Sequence, residues 1–185
     1  MSALGATDTP RGWADDRLGG GVLLDVASGE TIASGLAMPH SPRLVRTGGT
    51  ETLYVLLSAT GRLATVDRQS GAVTEVCDLG GFARGVSVRG DYLFVGVSKI
   101  RQASTFSGLP VSARATEAGV VVVHAPSGRV AARLAFQASV EEIYDVAVLP
   151  EVARPGLVGP GQDVLERAIP TSAGGYWALD EPPEA

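Results

Sequence analysis

The chain has 185 residues, 45% of them hydrophobic, with 24 Gly and 11 Pro. That is the core of one globular domain cut by many turns, and abundant Val beside a near absence of Lys favours strands over helices. A net charge of −5 with scattered basic residues excludes a phosphate-neutralising face, so no nucleic-acid partner is expected.

In chain order, Gly21-Val-Leu-Leu-Asp25-Val-Ala-Ser-Gly29 reads as a strand, a Ser-Gly turn and the approach to a second strand. The phrase returns as Gly61-Arg-Leu-Ala-Thr-Val-Asp67-Arg-Gln-Ser-Gly71 and as Gly119-Val-Val-Val-Val-His124-Ala-Pro-Ser-Gly128. Asp25 and Asp67 precede the turns, where a carboxylate accepts hydrogen bonds from turn N–H groups. Between these copies a second phrase opens a short apolar strand behind a charged residue: Pro42-Arg43-Leu-Val45, Ala83-Arg84-Gly-Val-Ser-Val88 and Tyr144-Asp145-Val-Ala-Val148. Gly29 to Gly71 spans 42 residues and Gly71 to Gly128 spans 57. A repeat of about 40 to 50 residues is the size of one four-stranded propeller blade. The longer interval contains residues 99–117, whose polar and small side chains read as an insertion between the second and third strands of a blade.

The predicted strands follow. Residues 21–36 supply two outer strands of a first blade. Residues 44–45, 53–57, 63–66 and 73–79 make a full blade, and 85–88, 93–97, 120–124 and 130–136 make another. Residues 143–149 and 157–158 open a further one. Alternation is partial because sheets covered on both faces read as continuous apolar runs. Cys77 is the only cysteine and falls on a strand as a half-buried thiol, which rules out an intrachain disulfide and a cysteine-built zinc site. Gln162–Arg167 is predicted as a short helix and Glu181–Ala185 as a flexible tail.

The expected fold is all-β, an incomplete β-propeller-like array of about three four-stranded blades over residues 1–160, with 161–185 as helix and tail. Rings close with about four to eight blades. Three leave exposed sheet edges, so the chain is expected to be part of something longer or to self-associate, two copies making a six-bladed ring. With no signal-peptide pattern and no apolar run long enough for a span, a cytoplasmic protein without membrane contact is expected.

Several phrases together resemble a bacterial family of conserved hypothetical proteins, a domain of unknown function with a propeller-like fold. Gly35-Leu-Ala-Met-Pro-His-Ser-Pro-Arg43 resembles that family's Gly-Leu-Ser-Met-Pro-His-Ser-Pro-Arg phrase, and Gly81-Phe-Ala-Arg-Gly85 matches another. Gly96-Val-Ser-Lys-Ile-Arg101 followed by Phe106-Ser-Gly-Leu-Pro110 is similar to a third pair, and Val140–Pro150 to the last phrase. The resemblance covers roughly Ala3 to Val158. Ala3–Thr9 corresponds to a strand leading to the Trp13 loop in the middle of longer members, so the resemblance implies that this chain is a C-terminal half. Leu57, Ala59, Ile100 and Ala118 stand where the family tends to have Asn, Gly, Pro and Cys. The resemblance carries no catalytic role.

In a propeller the first strand of each blade lines the central channel. The residues expected there are His40, Ser41 and Arg43, then Phe82 and Arg84, then Glu141, Glu142, Tyr144 and Asp145. Arg43 and Arg84, at equivalent places in the repeat, offer planar two-pronged hydrogen bonds to a carboxylate or phosphate; the structural alternative pairs each with Asp145 or Glu142 of a neighbouring blade. His40 sits in a rigid Pro-flanked turn and His124 lies elsewhere, so no metal site is expected. Lys99 and Arg101 bring charge to one end of the channel and Phe106 an apolar anchor, as a lid, a docking loop or a plain solvated connection. The acidic trio Glu141, Glu142 and Asp145 lacks the partner carboxylate that glycoside chemistry requires. There is no Gly-x-Ser-x-Gly elbow, and Gly19-Gly20-Gly21 lacks the ending of a phosphate loop. The expected function is a binding or scaffold module for a small anionic ligand or a protein partner. Its candidate contacts are His40, Arg43, Arg84, Lys99, Arg101, Glu142 and Asp145, and no cofactor is expected. The alternative is an enzyme acting on a small polar or anionic molecule in the channel.

Overall fold

A computed structural model describes residues 1–47, 49–100, 106–115, 117–152, 168–171 and 174–177. Two compact units divide the chain, Met1–Val148 and Leu149–Ala185. The first unit contains three antiparallel sheets, each a meander in chain order and none closed on itself. Sheet A holds β1 (Ser2–Ala3), β2 (Gly21–Leu24) and β3 (Thr31–Leu36). Sheet B holds β4 (Pro39–Thr47), β5 (Thr50–Leu57), β6 (Arg62–Val66) and β7 (Val73–Asp78). Sheet C holds β8 (Phe82–Arg89), β9 (Tyr92–Ser98), β10 (Gly119–His124) and β11 (Arg129–Ala135). Among the described residues there is no α-helix, only a 3₁₀ turn at Gly12–Ala14. The all-β expectation therefore holds.

The Ser-Gly turns set this frame. Asp25 accepts from the Ala27 and Ser28 N–H groups, and Asp67 from those of Gln69 and Ser70 and from the Ser70 hydroxyl. These bonds, led by the Ser28 and Ser70 N–H groups, hold both carboxyls below their ordinary pKa. The third turn has His124 in the aspartate's place, and its Nδ1 lies 2.8 Å from the Ser127 hydroxyl. Gly29, Gly71 and Gly128 close the three turns at φ of 74°, 72° and 66°, the left-handed region that only glycine enters freely.

Sheet B is buried on both faces, which is why its second strand reads Leu53-Tyr-Val-Leu-Leu57 without polar alternation. Val55 and Leu57 pack with Leu23, Ala33 and Leu36 of sheet A. Tyr54 and Leu56 face the other way, onto Val86, Val95 and Val123 of sheet C. Burying a side chain of this size contributes roughly 1.5–3 kcal/mol, so these two inter-sheet layers are the main source of cohesion. A third cluster closes one end of the sheets. Leu109, Val111 and Ala115, from the insertion, are buried against Ala37, Met38, Ala59 and Phe82. The insertion lies between β9 and β10, and its described part, 106–115, buries Leu109, Val111 and Ala115 while Gly108, Pro110, Ala113 and Arg114 are exposed. Arg114 fastens it, donating to Asp78 and to the Thr60 carbonyl at 3.0 Å.

After β11 the chain returns as an extended, unpaired segment. Residues 143–149 were expected to form a strand; no strand is assigned there. The segment crosses β8 and β9 instead, held by Ser98 and Ser87. In the second unit, β12 (Ala168–Thr171) pairs with β13 (Gly174–Trp177) as a hairpin. The expected strand at 157–158, the helix at Gln162–Arg167 and the tail at Glu181–Ala185 lie outside the described residues.

Candidate functional site

The position of each first strand is set by a buried serine. Ser58, at the end of β5, donates to the Ala83 carbonyl of β8 at 2.5 Å. Ser98, at the same place in sheet C, donates to the Ile143 carbonyl at 3.2 Å and accepts from the Ile143 N–H at 2.9 Å. Two residues before these serines, Leu56 pairs with His40 and Gly96 pairs with Arg84. The structural repeat is therefore His40, Arg84, Tyr144. This corrects the expected equivalence of Arg43, Arg84 and Asp145. Both first strands carry one extra residue at a bulge, advancing three residues, His40 to Arg43 and Arg84 to Ser87, while the second strand advances two. Arg43, three residues after His40, therefore takes the place of Ser87, opposite Tyr54 as Ser87 is opposite Phe94.

His40, Arg84 and Tyr144 form a ladder in which Phe82 contacts both His40 and Arg84, and Arg84 contacts Tyr144. The His40 ring lies edge-on to Phe82, with centroids 6.0 Å apart. The Arg84 guanidinium carbon lies 5.0 Å from the Phe82 ring centre and 4.7 Å from that of Tyr144, so rings bracket the cation. Arg84 Nε is buried and has no hydrogen-bond acceptor. Phe82 stacks at 5.0 Å on Phe106, which stacks on Trp13 at 6.3 Å, tying the ladder to the third core cluster. Met38 and Ser41 flank His40 with φ of 51° and 49°, and each precedes a proline. Left-handed non-glycine residues cost about 1–3 kcal/mol each. The bulge at Ser41 brings its hydroxyl to the Gly85 N–H at 2.9 Å, linking β4 to β8.

Burial, aided by the charge of Arg84, lowers the His40 pKa to about 4. The imidazole is neutral at pH 7. From pH 6.5 down to about 4 the unfolded chain takes up a proton that the folded chain refuses, so stability is full above pH 6.5 and falls as pH drops through this window, by on the order of 3 kcal/mol. Urea titrations at stepped pH should show this loss. His40→Asn should flatten the portion between pH 6.5 and 5, and an unchanged slope there would refute the assignment.

The remaining candidates scatter. Arg43 is exposed and its Nε donates to the Val86 carbonyl at 3.0 Å, so it ties β4 to β8 and pairs with neither Asp145 nor Glu142. Lys99 lies 3.6 Å from Glu141, and its N–H donates to the Glu141 carbonyl. Glu142 accepts from the Tyr144 hydroxyl at 2.6 Å, a bond that leads the upward shift of that phenol. Asp145 accepts from the adjacent Val146 N–H, and its backbone lies against Gly85. Arg101 is outside the described residues. Phe82 and Tyr144 carry the site with Arg84, and Ser58 and Ser98 position it. The sequence signal for the two serines is a Ser directly after each second-strand apolar run.

A larger open cleft of about 1060 Å³ lies between sheets A and B at the Ser-Gly turns. Of its charged lining, Asp25 and Asp67 are committed to their turns and Glu51 to Arg46 at 2.8 Å and Arg68 at 3.2 Å, and Glu30 is the remaining group. Among the described residues no group of three His, Cys, Asp or Glu is placed to hold a metal ion, and no helix is long and apolar enough to cross a membrane.

Fold and site define an all-β protein of serially packed antiparallel sheets with a cation–aromatic ladder along their first strands. The chain belongs to a family described as a domain of unknown function (DUF4915), whose model matches residues 1–158. No curated protein matches it.

Proposed function

We propose that sheets A, B and C are consecutive blades of a propeller-like binding module, one half of a closed ring, and that Arg84 holds a small anionic molecule at the ends of the first strands. The environment of Arg84 carries this reading. Its cation sits between two rings, its Nε lacks an acceptor, and no carboxylate among the described residues pairs with it. Arg84 is half-buried, and a guanidinium partly withdrawn from water without a counter-ion gains from an added anion. Its Nη groups offer paired donors that match the two oxygens of a carboxylate or phosphate. The repeated serine bridge, from Ser58 of sheet B to Ala83 of sheet C and from Ser98 of sheet C to Ile143, supports the blade reading.

The neutral His40 beside Arg84 favours a second reading, an enzyme that uses the imidazole as a base on the same anion. A base with a pKa near 4 is poorly matched to proton transfer at neutral pH, so binding is the stronger reading. Calorimetric titration with a panel of small carboxylates and phosphates tests it. The chain should bind at least one class, Arg84→Met should weaken that binding at least tenfold (about 1.4 kcal/mol), and Arg84→Lys should retain part of it. Equal affinity in Arg84→Met would remove the arginine from the site.

A further inference from the structure

We infer that a second copy of this chain docks on the free edge of β1, inserting its residues 143–148 as the missing first strand of sheet A. The inference rests on strand order and not on the ligand reading. The β2–β3 pair carries the same Asp-Ser-Gly turn as β6–β7, so β1, β2 and β3 occupy positions two, three and four of sheet A. Sheets B and C each have four strands, and the first strand, β4 or β8, pairs with the second. In sheet A, β1 pairs with β2 and, among the described residues, with nothing on its other side.

The complementary piece is at the other end of the same unit. Residues 143–148 stand to sheet C as β8 stands to sheet B, with Ser98 gripping Ile143 as Ser58 grips Ala83. They are a first strand with no sheet: no described strand pairs with them, and Tyr144, Asp145 and Ala147 are exposed. Among the described residues, one sheet thus stands without a first strand and one first strand without a sheet. Its own segment cannot serve. It lies over Gly96, on the face of sheet C turned away from sheet B, and sheet B separates that face from sheet A.

Exchange between two copies about a two-fold axis satisfies both edges at once, as an isologous interface must. It continues the inter-sheet packing already made twice within the chain, A on B and B on C. It also covers the face on which Tyr144, 69% exposed, and Leu134, 57% exposed, stand. Six first strands then surround one axis, and each copy contributes His40, Arg84 and Tyr144.

Sedimentation equilibrium of the full chain should give twice its 19.0 kDa mass. Ala147→Pro removes the N–H of an exposed residue that makes neither the Ser98 nor the Ser87 bond, and should give a monomer that still unfolds cooperatively. Because that variant could fail for other reasons, two single-cysteine chains are also needed, Ser2→Cys and Ala147→Cys, each in a Cys77→Ser background. A short bifunctional thiol reagent should cross-link them as a pair only when the two are mixed. A wild-type monomer at all concentrations, open-ended growth, or a dimer that neither cross-links when mixed nor responds to Ala147→Pro would overturn the inference.

Discussion

Phe82→Ala should destabilise the first unit by about 3–5 kcal/mol, the range for emptying a buried aromatic site. Phe82 is 1% exposed and is the largest fully buried side chain of the unit. It packs on Met38 and Val111 and carries Phe106, His40 and Arg84 around its ring. A domain stable by about 5–15 kcal/mol loses much of its margin, and for this size the melting temperature should drop by roughly 10 °C. A second readout separates site from scaffold. Phe82 is part of the burial that depresses the His40 pKa, so in the alanine variant that pKa should climb from about 4 back toward 6.5. Phe82→Leu, keeping most of the volume, should cost under about 2 kcal/mol and leave the titration near its wild-type position. NMR titration of the imidazole decides: an unmoved His40 pKa in Phe82→Ala would mean that other groups dry the ring.

The ordering of sheets was legible because it is written in local chemistry. An aspartate three residues before a Ser and four before a Gly makes the same turn wherever it occurs, and the aspartates at 25 and 67 accept the same pair of N–H bonds. Strands buried on both faces were legible as apolar runs, such as Val55–Leu57 between the two inter-sheet layers. The site was legible only in part. Arg84 and His40 were found because they stand at the starts of first strands, but Arg43 was aligned with Arg84 by its charge. Arg43 stands three residues beyond the counterpart of Arg84, and only the pairing of His40 with Leu56 and of Arg84 with Gly96 exposes that offset. Tyr144 could not be ranked above Asp145 without that register. The packed state of 106–115 was hidden as well, because Leu109, Val111 and Ala115 are separated by polar residues and find their partners in Ala37 and Ala59, about 50–80 positions away.

Gly85→Ala should release residues 143–148 from sheet C. Gly85 has a φ of 73°, and a Cβ there would lie 2.5 Å from the Asp145 Cα and 2.6 Å from the Val146 N. Both are backbone atoms, so no rotamer change relieves the overlap. The left-handed conformation alone costs an alanine about 1–2 kcal/mol. Displacing the segment also forfeits the bonds from Ser98 to Ile143 and from the Val148 N–H to Ser87, at about 1 kcal/mol each, besides the packing of Ile143 and Val146 over Gly96. Gly90→Ala is the matched control, since Gly90 has a φ of 55° and nothing within 4 Å of the added carbon. It carries the conformational cost without the collision. Hydrogen exchange should therefore show the Ile143 and Val148 amides losing protection in Gly85→Ala and keeping it in Gly90→Ala, while the amides of β9 and β10 remain slow in both. Because Arg84 is adjacent and shares its cation with Tyr144, anion binding should fall in the Gly85 variant alone. Equal protection at Ile143 in the two variants would mean that the segment is not held by its fit against Gly85, and that the third rung of the ladder is not fixed by the fold.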